Sequence, residues 1–164
     1  MVDGDSTSYV SRMKTLPKDQ KVTRLIVQLS TNDVTQGKPF GSIAEGKELS
    51  SFNTSTVIGA IEYIIAYAKQ TWDCEVIFYT NHKYNNANYN SLIGELYKVQ
   101  AKWGIGIVDF FNYVDMEELD DSTLASYKAD DIHPNAQGYS WMSKVFSEYL
   151  QNEVEKDVIR QTIA

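Results

Sequence analysis

Three stretches of the chain are apolar without alternation: RLIVQLS at residues 24–30, CEVIFYT at 74–80 and IGIVDFF at 105–111. Continuous runs of this kind, rich in β-branched and aromatic residues, predict strands buried on both faces. Between them the apolar residues recur at helical spacing. From Thr56 to Gln70 they are Val57, Ile61, Ile64, Ile65 and Ala68. A second set, Tyr89, Leu92, Ile93, Leu96, Val99 and Trp103, marks the next helix. A short helix, SYVSRMKTL, is predicted ahead of the first strand. The last helix is predicted over residues 135–152, with Ala136, Tyr139, Met142, Phe146, Tyr149 and Leu150 as its apolar stripe. Residues 153–164 form a charged tail, expected to be frayed or to extend that helix.

Strand and helix alternate, with crossovers long enough for a helix, which is the pattern of a parallel sheet covered by helices. Right-handed crossovers put the two middle helices on one face and leave the other to the last helix, giving a three-layer α/β/α arrangement. Ligands of such sheets bind at the carboxyl ends of the strands. Three segments fall there: STNDVTQG after the first strand, NHKYNNA after the second, and the loop from Phe110 to His133 after the third.

Composition narrows the partners. The 164 residues, 43% of them apolar, suffice for one core, so a single domain spanning 1–164 is expected. A formal net charge of −7 argues against nucleic acid and anionic membrane surfaces as ligands. The single cysteine, Cys74, excludes an intrachain disulfide and a multi-cysteine metal site. No apolar run reaches the roughly twenty residues of a membrane span, and Met1–Ser8 lacks a signal-peptide layout. The chain as given is expected to be soluble. Its compartment stays open, because an export signal can lie ahead of Met1.

The candidate chemistry centres on DDIHPNAQGY, residues 130–139. Pro134 disfavours the helical conformation for His133 and suits the first turn of the last helix, so the imidazole is held just outside that helix. A carboxylate three residues earlier, Asp130, can accept a hydrogen bond from Nδ1 and leave Nε2 as a proton acceptor. Asp131 is an adjacent competitor suited to solvent exposure or to helix N-terminal charge compensation. Spacing alone leaves His133 equally open to a capping or surface role.

STND directly after a buried strand, and DDIHPNAQGY before a C-terminal helix, resemble the third and fifth sequence blocks of the SGNH, or GDSL-type, serine hydrolases. Their order and separation match as well, and the resemblance runs from about Ser6 to Leu150. It implies a flavodoxin-like fold and cleavage of carboxylic esters, with no cofactor, on small-molecule substrates such as acylated carbohydrates or lipids. It also implies roles: Asn32 as an oxyanion-hole donor, Asp33 bracing the Asn32 loop, His133 as general base then acid, and Asp130 orienting its ring.

The departure from the family lies at the nucleophile. A GDS triplet is present at Gly4, Asp5 and Ser6, but only MVD precedes it, and no strand can be built from that. The residues after the triplet, a short helix and then a strand, make GDSTSYVSRM resemble the segment ahead of the family's third strand, so Ser6 is expected to lie away from His133. The chain resembles a family member without its first two strands. The missing first strand would pair with RLIVQLS, so this strand is expected to present an open apolar edge that invites a partner, including a second copy of the chain. Two further readings remain: a noncatalytic ligand-binding homologue without the nucleophile, and a divalent-metal site drawn from Asp33, Asp130, Asp131 and His133. In the loop after the second strand, His82 is expected to be an exposed loop histidine and Tyr84 a packing or surface residue, with substrate contact as the alternative for each.

Overall fold

The computed structural model describes residues 1–163, with side chains through Glu153. The predicted strands form: β1 is Arg24–Gln28, β2 Glu75–Tyr79 and β3 Gly106–Val108. They make one open parallel sheet in the order β1-β2-β3. The β1 and β2 strands run in register from Arg24 opposite Glu75 to Gln28 opposite Tyr79. The helices are α1 Tyr9–Met13, α2 Thr31–Thr35, α3 Val57–Trp72, α4 Ala87–Trp103, α5 Asp121–Ser126 and α6 Ala136–Ile163. The expected tail therefore continues the last helix, and the packing of side chains beyond Glu153 lies outside the described residues.

Two compact units make up the chain. The first is Met1–Tyr79 with Asn86–Ile107, and the second is Thr80–Asn85 with Val108–Ala164.

In the first unit, helix α3 starts where Thr56 turns its hydroxyl back to the N–H of Gly59, and α4 starts where Asn86 does the same for Tyr89. Helix α4 stops at Gly104, whose φ of +64° only glycine adopts without a Cβ penalty. Ile58, Ile61, Ile64 and Ile65 of α3, Leu92, Ile93 and Leu96 of α4, and Ile77 and Phe78 of β2 are fully buried. Burial of such side chains contributes about 1.5–3 kcal/mol each and is the main stabilising term. One carboxylate sits among them. Glu62 is completely buried and accepts from the Lys102 ammonium at 2.6 Å, the Trp103 indole at 2.9 Å and the Ala44 N–H at 2.8 Å. These donors offset the cost of burying the carboxyl group.

In the second unit the core is aromatic. Trp141 of α6 packs edge-on against Phe110 at 5.3 Å between ring centroids, with Tyr113 and Tyr127 on its other sides. Phe146, further along α6, tilts against Phe110 at 5.5 Å.

Three expectations are corrected. First, β1 is not buried on both faces: Ile26, at its centre, is 44% exposed, because β1 is the edge of the sheet. Second, the inward stripe of α6 omits Ala136 and Tyr139, both exposed, and uses Trp141. The first turn of α6 is held by the preceding loop, so its apolar residues are not needed for packing. Third, β3 ends at Val108, short of the predicted run. Asp109 diverts the chain by accepting the backbone N–H groups of Phe111 and Asn112, which turns Phe110 and Phe111 into core residues of a loop.

Candidate active site

The segment from Lys128 to Asn135 is a closed turn. Lys128 bridges Pro134 in antiparallel fashion, and the Ala129 N–H donates to the His133 carbonyl at 2.8 Å. Asn135 then joins the turn to the helix. Its side-chain oxygen accepts the N–H groups of Gln137 and Gly138, capping α6, while its amide donates to the carbonyls of Ser126 and Lys128. The Asn135 N–H donates in turn to the Tyr127 carbonyl at 2.8 Å. Gly138 lets this happen: a Cβ there would stand 2.3 Å from the Tyr127 carbonyl oxygen. The polar side chains of Asp130 and Asn135 thus fix the turn from its two ends.

What the turn holds is His133. Asp130 Oδ2 lies 2.8 Å from His133 Nδ1, and Oδ1 accepts the backbone N–H of His133 at 2.7 Å and of Ile132 at 2.8 Å. These two N–H groups, His133 first, and then the imidazole hold the Asp130 carboxyl down at a pKa of about 2. The Asp130 carboxylate is placed to accept a proton carried on Nδ1, which is the tautomer whose Nε2 is an acceptor. Both side chains are well exposed, His133 at 70%, so the ring is open to a reactant.

The loop after β2 supports this turn from within the same unit. Asn81 is 2% exposed and donates its amide to the Ile132 carbonyl at 2.7 Å, next to His133. Thr80, fully buried, donates to Asp109 at 2.9 Å and accepts the Phe111 N–H. His82 corrects the expectation of an exposed loop histidine: it is only 3% exposed. Its Nδ1 lies 3.2 Å from the Lys83 carbonyl, its Nε2 is buried without a hydrogen-bond partner among the described residues, and burial pushes its pKa down. Tyr84 is buried as well, edge-on to Phe111. Asn81, Thr80 and Asp109 carry no motif of their own. Only the placement of NHKYNNA at the carboxyl end of a predicted strand pointed toward Asn81.

Asn32, Asp33 and Ser6 belong to the first unit. STND forms the short helix α2, capped by the Ser30 hydroxyl on the Asp33 N–H at 3.1 Å. Asn32 is exposed on its first turn, whereas Asp33 is buried and ion-paired with the Met1 ammonium at 2.6 Å. Ser6 is exposed in the turn before α1. Its neighbour Asp5 organises that turn by accepting the Thr7 N–H at 2.7 Å. No hydrogen bond engages the Ser6 hydroxyl among the described residues. No cluster of three or more His, Cys, Asp or Glu side chains suited to a metal ion occurs among the described residues either.

A family model, GDSL-like Lipase/Acylhydrolase, matches residues 2–146. The chain belongs to this family, and its open parallel sheet with helices is the corresponding α/β fold. Among solved structures, a protein from Lactobacillus plantarum is similar with a TM-score of 0.71 at 15% identity, over 89% of this chain and 74% of that one. A candidate GDSL-like lipase from Bacteroides ovatus is similar with a TM-score of 0.59 at 17% identity, over 88% of this chain and 60% of that one. At such identities the likeness is one of fold. No curated protein matches the chain in sequence.

Proposed function

We propose that the chain works as a GDSL-type hydrolase on carboxylic esters through a serine acyl-enzyme. The observation that carries this reading is the pair Asp130–His133, with Nδ1 held by the carboxylate at 2.8 Å and the ring exposed. In this reaction a seryl oxygen adds to the ester carbonyl carbon while its proton passes to Nε2 of His133. The Asn32 amide donates to the developing oxyanion, and Asp33 braces the helix that carries Asn32. The alcohol leaves with the proton from His133, and water then cleaves the acyl-serine by the same base. No cofactor takes part. The substrates are small esters, of which acylated carbohydrates or lipids are the classes in view, and a second copy of the chain is the protein partner. Among the described residues, no helix is long and apolar enough to cross a membrane.

Ser6 is the nucleophile this chain offers, and its exposed hydroxyl, hydrogen-bonded to no base among the described residues, favours a second reading. In that reading the chain is a binding homologue that keeps the Asp130–His133 turn and lacks an activated serine. A fluorophosphonate probe separates the two, because it labels only a serine with an active base. Labelling at Ser6 that vanishes in both Ser6→Ala and His133→Ala establishes the hydrolase. A folded chain that takes up no probe and cleaves no ester establishes the binding homologue. Ester cleavage that requires an added divalent metal overturns both.

A further inference from the structure

We infer that Asn81 is a positioning residue for His133: its buried amide grips the peptide unit that carries the imidazole and ties it to the end of the sheet. The inference rests on the reading of His133 as the base, and adds to it a residue from outside the turn.

The peptide unit between Ile132 and His133 is held at both ends. Its carbonyl, on Ile132, accepts from Asn81 Nδ2 at 2.7 Å, and its N–H, on His133, donates to Asp130 Oδ1 at 2.7 Å. A peptide unit is planar, so fixing both of its polar groups fixes the plane, and with it the N–Cα bond beyond which the His133 side chain departs. The two grips differ in what they join. Asp130 belongs to the same turn as His133 and also meets the ring at Nδ1, so it orders the ring relative to the turn. Asn81 reaches Ile132 from 51 positions away and orders the turn relative to the sheet end.

Asn81 has a firm base for this. The residue before it, Thr80, donates its backbone N–H to the Val108 carbonyl at 3.1 Å, donates its hydroxyl to Asp109 at 2.9 Å and accepts the Phe111 N–H. Thr80 is fully buried and Asn81 is 2% exposed. Water competes for the Asp130 and His133 side chains, which are 58% and 70% exposed, and has little access to the Asn81 amide. A hydrogen bond kept from water retains more of its strength, and removing one partner of such a bond costs more than the bond itself contributes. The bond from Asn81 is therefore the firmer of the two grips. It guards against a shift of the imidazole by about 1 Å, which is enough to cost about a hundredfold in rate.

The test is Asn81→Leu, which keeps the side chain's shape and removes the donor, read by the His133 imidazole and amide resonances and by kcat and KM on p-nitrophenyl acetate. The Ile132 and His133 resonances are expected to shift or broaden, and kcat to fall by about tenfold to a hundredfold with KM within about twofold. Met142→Ala, at a buried residue of α6 in the same unit, is the control: it lowers the urea midpoint and leaves the His133 resonances and kcat native. Should leucine prevent folding, Asn81→Asp at about pH 8 keeps the shape and turns the donor into an acceptor, with the same expectation. In the unaltered chain the Asn81 side-chain amide protons are expected to exchange more slowly than those of exposed Asn32. A folded Asn81 variant with native His133 resonances and native kcat overturns the inference, as do Asn81 amide protons that exchange as fast as those of Asn32, or a Met142→Ala chain with the same losses at His133. An unaltered chain that cleaves no ester removes the hydrolase reading and leaves the resonances to decide the role of Asn81, so the two failures are told apart.

Discussion

Asp130 holds His133 by two bonds at once: its carboxylate meets the imidazole Nδ1 at 2.8 Å and the backbone N–H of the same residue at 2.7 Å. The ring and the chain that carries it are therefore positioned by one exposed side chain. Removing the carboxylate charge releases both. Asp130→Asn is expected to broaden or shift the His133 imidazole resonances while the rest of the spectrum stays native. If ester cleavage is established, kcat should fall by about a hundredfold or more with KM little changed, because the His133 base loses its orientation while binding is unaffected. A variant with native His133 resonances and native kcat contradicts this role.

Acid should act on that turn in a defined window. The pKa of Asp130 is depressed to about 2, below the usual value of about 3.9 for an unfolded chain. A depressed carboxylate contributes stability that is fully present above the unfolded value and is lost as pH falls through the folded one. Titration followed at the Ile132 and His133 amides should therefore show the turn intact above about pH 4 and released on approach to about pH 2.

His82 should act at higher pH. Burial lowers its pKa, so the folded state binds fewer protons than the unfolded state as pH falls through the ordinary histidine range near 6.5. Stability accordingly rises with pH across that window and is lost on its acid side. Among charged neighbours, Lys128 lowers the pKa further and Asp130 opposes it. Replacing the ring, as in His82→Asn or His82→Leu, should flatten the pH dependence of urea midpoints between about pH 7 and pH 5. A slope unchanged by either substitution would place the acid sensitivity elsewhere.

Glu62 makes a different kind of prediction, about the cost of a buried charge. Glu62→Ala leaves the Lys102 ammonium and the Trp103 indole without the oxygen they share at 2.6 and 2.9 Å. The expected loss is about 3–5 kcal/mol in urea unfolding. Glu62→Gln should cost less, since its amide oxygen still accepts.

Gly138→Ala tests the clamp between loop and helix. The new Cβ would sit 2.3 Å from the Tyr127 carbonyl oxygen, which is backbone and already bonded to the Asn135 N–H. Relief requires the turn to move off α6, at a cost of about 1–3 kcal/mol. Loss of order at His133 in this variant should match that of Asp130→Asn, although residue 138 lies outside the pair.

Much of this molecule was legible in its sequence because the signals are local. Helical periodicity marks α3 and α4, and apolar runs mark β1, β2 and β3, since a segment buried on one stripe or on both faces must carry that pattern wherever it is packed. The Asp130–His133 pair was legible for the same reason: three residues and a proline are enough to bring a carboxylate to an imidazole. What the tertiary structure alone decided were relationships between residues distant in sequence. Nothing near Asn81 announces that its amide will seize the Ile132 carbonyl, fifty-one positions away. Nothing near His82 says that its ring will be buried. Glu62 reads as a polar interruption of an apolar helix until Lys102 and Trp103 arrive from another one. Local pattern determines which face of a segment leaves water, while the partner that meets a polar group on that face is set only when the segments pack.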